Sequence, residues 1–112
     1  MTATALAHEH RVAINKRLDA LEGLAHRCQN QAQGQCIEGY AQARALLRDL
    51  EDLFAEHLPT RAHLAEPLPR VRQHLGAMAG LEEHELPEGS RSHLDQVMAD
   101  IHKIRTCLPP ER

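Results

Sequence analysis

Aromatic side chains are nearly missing from this chain, which has one Tyr, one Phe and no Trp. Strand-favouring β-branched residues are also scarce, which weighs against a β fold. The charge lacks a basic excess: 13 Lys and Arg face 16 Asp and Glu, a net of -3. The two signs are interspersed and no run of like charge occurs, so a nucleic-acid partner is not expected. No stretch approaches the roughly 20 apolar residues that cross a bilayer, so no membrane role is expected. Residues Met1–Ala7 lack a basic start followed by a long apolar run, so no signal peptide is read and a cytoplasmic location is the default.

The motif inventory is also thin. The three cysteines include no CxxC pair, which argues against a thioredoxin-type centre and a zinc ribbon. There is no nucleophile elbow, P-loop or dinucleotide fingerprint, and no enzyme is expected. Nine histidines are present, yet HxxxH, HExxH and Glu-x-x-His are all absent. Di-iron and zincin sites need those spacings, because residues three or four apart share one helix face.

What is abundant is Leu and Ala, 16 of each. Both are strong helix formers. Ala buries little area, so the core is expected to be thin and the monomer modestly stable or supported by a partner chain. The length of 112 residues suits a single domain, 1–112.

Prolines 59, 67, 69, 87, 109 and 110 divide the chain into blocks, because an interior Pro breaks a helix. The polar stretch 29–35 (QNQAQGQ) adds one more break. Four helices are predicted: Thr4–Gln31, Cys36–Leu58, Leu68–Gly80 after a short turn over 60–66, and Ser90–Leu108. In the first, Ile14, Leu18, Leu21, Ala25, Cys28 and Ala32 recur every three or four positions. Cys36, Tyr40, Ala43, Leu47, Leu50, Phe54 and His57 do the same in the second, with Leu46 and Leu53 beside them. Leu64, Leu68, Val71, Leu75 and Met78 line the third, and Leu94, Val97, Ile101, Ile104 and Leu108 the fourth. Such stripes bury against one another. The expected fold is all-α, an antiparallel up-down helical bundle of three to four helices.

Ser92 or Ser90 is expected to cap the fourth helix, with Asp95 in its first turn. The first helix is expected to overhang the others, exposing Leu6 and Val12 as a dimer contact or a frayed tail. Gly76 and Gly80 suggest close packing or fraying of the third helix. Glu82, Glu83, His84 and Glu85 read as a solvated loop.

Up-down topology gathers His8, His10, His57, His63, His102 and Cys107 at one end of the bundle. Imidazole and thiolate donors suit Zn, Cu or Ni, so His57, His63, His102 and Cys107 form a candidate metal set. The alternative for His57 is a helix-terminal ring that interacts with the helix end. Cys28 and Cys36 flank the first hairpin on inward positions, where a disulfide or two buried thiols are both compatible with the geometry. The segment LAHRCQNQ, Leu24–Gln31, resembles the region around the phosphorylated His of histidine-phosphotransfer domains, which are four-helix bundles of similar size. That resemblance implies phosphotransfer through His26. The family's Lys and Gly that follow the His are Gln29 and Asn30 here. The leading functional expectation is a non-enzymatic interaction module, a regulator, adaptor or chaperone, that offers a helix face to a protein partner or a second copy. No cofactor is expected under that reading.

Overall fold

The computed structural model describes residues 6–30, 33–81 and 92–109, with only the backbone described for 33–35. It is an all-α bundle of four helices: α1 (His8–Asn30), α2 (Gln33–His57), α3 (Pro67–Met78) and α4 (His93–Cys107). A short 3-10 turn, Ala62–Ala65, lies between α2 and α3. Chain neighbours α1–α2, α2–α3 and α3–α4 pack together, and α4 closes on α1. This is the expected up-down arrangement, in which helices that follow one another in the chain pack side by side.

The apolar stripes meet in one core. Ile14, Leu18 and Leu21 of α1 meet Leu50 of α2, Leu75 of α3, and Ile101 and Ile104 of α4, all buried. Leu46 and Leu53 pack half-buried against this core, so the second apolar row of α2 widens the interior. The overhang expected at the N-terminus is corrected. α1 starts at His8, and Leu6 is buried in the core, while Val12 is exposed. Burying Leu6 adds apolar area to a thin core, which a projecting tail could not do.

Helix ends follow from local chemistry. The Ser92 hydroxyl accepts from the Asp95 amide at 3.1 Å, the expected cap of α4. Ser90, the other capping candidate, lies outside the described residues, as do Ala32, Glu82, Glu83, His84 and Glu85. Pro67 takes the first position of α3, where a missing N–H costs nothing. At the other end Gly80 adopts φ 75°. Its amide donates to Ala77 O at 3.1 Å and the Leu81 amide to Gly76 O at 2.9 Å, a Schellman stop. Gly76 and Gly80 are thus the two ends of a helix termination. The glutamine-rich break is narrower than its composition suggests, since α1 runs to Asn30 and α2 begins at Gln33.

Candidate functional site

The structure presents several groupings of polar or reactive side chains and an apolar groove. At one end of the bundle the His10 ring from α1 stacks on the His57 ring from α2, with centroids 3.6 Å apart and planes 21° from parallel. Each ring lies near its neighbouring carboxylate. His10 Nε2 is 3.7 Å from Glu9 and His57 Nε2 is 3.9 Å from Glu56. Stacking joins the two ring faces and does not aim two nitrogen lone pairs at one point.

His63 and Cys107 line a common pocket of about 160 Å³ with Glu66 and Lys103. Cys107 is a free, half-buried thiol. His102 is exposed on α4. The candidate metal residues therefore divide: His57 joins His10, His63 shares a pocket with Cys107, and His102 stands on the surface. Among the described residues no three His, Cys, Asp or Glu side chains are placed to hold one ion. His26 is exposed on α1, as are Gln29 and Asn30. Cys28 and Cys36 are joined by a disulfide across the α1–α2 hairpin, with Cα atoms 5.0 Å apart.

A second histidine pair lies between α3 and α4, apart from the expected sites. His74 is 2 % exposed, the one buried polar side chain among the described residues. Its Nδ1 lies 2.8 Å from Nδ1 of His93, the first residue of α4. One ring must donate and the other accept, so the bond fixes opposite tautomers at the two Nδ1 atoms. A signal existed, because position 74 falls three after Val71 and four before Met78, on the apolar stripe itself.

Two ion-pair groups also hold α4. Arg105 donates to Asn15 at 2.8 Å, Asp19 at 2.6 Å and Glu22 at 3.1 Å, fastening α4 to α1. Burial opposes its charge, but the hydrogen bonds it donates to Asp19 and Glu22, with their negative charges, outweigh burial and hold the guanidinium above its usual range. Asp100 lies 3.5 Å from Arg70 across α3–α4. Burial pushes its carboxyl above the ordinary value despite the attraction of Arg70, and its Oδ2 is buried with no hydrogen-bond partner.

An apolar concavity lies elsewhere. A groove of about 320 Å³ runs between the C-terminal half of α2 and the 3-10 turn. Phe54, Ala55, Leu58, Pro59, Ala62 and Ala65 form its walls, with Glu51 and Arg61 as its charged members. It exists because Pro59 ends α2 and the chain folds back through a turn rich in Ala, whose small side chains leave space open. Concave apolar surface with few polar groups is the usual form of a binding site.

Searches of family models, of curated proteins and of solved structures return no match for this chain. None of the described helices is long and apolar enough to cross a membrane.

Proposed function

We propose that this protein is a non-enzymatic interaction module, of adaptor, regulator or chaperone type, that docks a protein partner in the α2–turn groove. The observation that carries the reading is the groove itself, apolar, open and built from Phe54, Leu58, Ala62 and Ala65. Burying its lining against an apolar side chain would gain roughly 25 cal/mol per Å² of apolar surface removed from water. The reading involves no cofactor, no nucleic acid and no membrane. The working location is the cytoplasm. The Cys28–Cys36 bond is the feature that argues against it, since reducing compartments keep thiols reduced.

The test is a photo-reactive amino acid placed at Ala62, with the same residue at Gln42 as a control on exposed α2 surface away from the groove. One protein should be captured from Ala62 and not from Gln42. Purified and reconstituted, it should bind Ala62→Arg at least about tenfold more weakly than the parent. Equal affinity for the two would remove the reading.

Transition-metal binding is the second reading; it rests on the gathering of His10 and His57 at one bundle end, although their stacked faces do not form a ligand set. Tag-free protein titrated with Zn, Cu and Ni should then show one site tighter than scattered surface histidines, lost in His57→Ala. Phosphotransfer is supported only by the exposure of His26. It requires an acid-labile phosphohistidine after incubation with phosphorylated response regulators.

A further inference from the structure

The apolar groove continues into a basic one. Arg44, Leu47, Arg48 and Glu51 of α2, with Arg72 of α3, line a depression of about 170 Å³ that shares Glu51 with the groove. Positions 44, 48, 51, 55 and 58 recur every three or four residues, so both depressions lie along one face of α2. From residue 44 to residue 58 that row is about 21 Å long at 1.5 Å per residue.

Its charge is opposite to that of the whole molecule. Arg44, Arg48 and Arg72 line one half and Arg61 the other, against Glu51 as the only acid of the lining. The chain as a whole carries -3. Arg44 and Arg48 stand one turn apart, a like-charge spacing that weakens an isolated helix. Among the described residues neither is in an ion pair, although Arg17, Arg70 and Arg105 all are. Guanidinium groups in this arrangement match carboxylates, which accept their N–H donors two at a time.

We infer that the occupant of this row is an amphipathic segment of a partner protein, with carboxylates facing Arg44 and Arg48 and apolar side chains entering the groove beside Ala62. The inference rests on the docking reading above and adds the partner's chemistry and direction. A helix of about 14 residues spans the row. The same row of a second copy does not fit. Face to face in parallel, arginines meet arginines. In the antiparallel arrangement Arg44 and Arg48 meet Arg61 and neutral side chains, and only Glu51 supplies a carboxylate. Nucleic acid would satisfy the arginines but leave the apolar half uncovered.

The experiment is selection of displayed random peptides of about 16 residues on the immobilised full chain, followed by affinity measurement on the winners. Enriched peptides should carry an acidic cluster at one end and large apolar residues at the other. Their binding should fall roughly tenfold or more in Arg44→Glu/Arg48→Glu, and again in 0.5 M NaCl, because rim charge pairs are screened. Arg44→Gln/Arg48→Gln, which removes charge without reversing it, should lose less than the double Glu variant. Circular dichroism verifies that each variant is folded. Enriched apolar peptides without acid, indifferent to the Arg44 and Arg48 variants but lost in Ala62→Arg, would overturn this inference and leave the groove reading standing. Peptides indifferent to Ala62→Arg, or no enrichment at all, would overturn both. A DNA oligonucleotide that displaces the winners at equal concentration would also overturn the acidic-segment inference.

Discussion

Nδ1 of His74 and Nδ1 of His93 lie 2.8 Å apart, joining a buried position of α3 to the first residue of α4. The bond gives a polar partner to a ring buried in the core. His74→Leu leaves His93 without this partner and should cost about 1–2 kcal/mol. His74→Leu/His93→Leu should cost less than the sum of the singles, by roughly 0.5–1.5 kcal/mol. Urea unfolding of the four proteins in the cycle measures the coupling. Strict additivity would mean that the two rings do not interact.

Asp100 makes a pH-dependent prediction. Its carboxyl is raised by burial, which Arg70 offsets only in part. A carboxyl with a folded value above its unfolded one favours the folded state at low pH. That contribution is full below the unfolded value of 3.8 and is lost as pH rises through the folded value. Asp100→Asn removes the titration and keeps an oxygen that can accept from Arg70. Its stability relative to the parent should therefore rise between about pH 3.5 and about pH 7. Denaturant unfolding at both values checks the sign. A relative stability of the Asp100→Asn variant that falls with rising pH would contradict it.

Gly80 ends α3 at φ 75°, where a Cβ is disfavoured. Gly80→Ala should destabilise by about 1–2 kcal/mol. Gly23 is the control. A Cβ there meets nothing within 4 Å, and the residue sits inside α1. Gly23→Ala should therefore stabilise by up to about 1 kcal/mol. Thermal melts of the two variants should move in opposite directions.

The Cys28–Cys36 bond closes a short loop, with a sequence separation of 8. Loop-closure entropy assigns it about 2.5 kcal/mol. Cys28→Ser/Cys36→Ser should lower stability by up to that amount, and reductant should destabilise the parent but not the double variant. Alkylation of the protein in cells before any reduction separates the two locations, and labelling of Cys107 alone would argue against the cytoplasm. Labelling of all three cysteines would show a reduced pair in vivo and so support the cytoplasmic location.

Most of the fold was legible because oily residues recur at helical spacing and prolines mark the breaks. Ile14, Leu18, Val71 and Ile101 are buried where their stripes place them. The Ser92 cap was legible for the same local reason. Leu6 was misread, because the path of a chain before its first helix depends on which neighbours lie within reach. The histidine end was legible in part: topology brought His10 to His57, but helix rotation, invisible in spacing, set His102 outward. His74 lay on a readable stripe, yet its partner depends on the register between α3 and α4. The groove was least legible. Arg44 and Arg48 look like ordinary surface charge until α3 brings Arg72 beside them and the turn after Pro59 folds back along α2.

The docking face is tested most directly by hydrogen exchange of the protein, alone and saturated with the partner captured from Ala62 or with the best selected peptide. Protection should concentrate in residues 44–65, greatest around Leu58–Ala65 and absent from the exposed face of α1. Protection confined to α1 or α4, with 44–65 exchanging as in the free protein, would contradict the account.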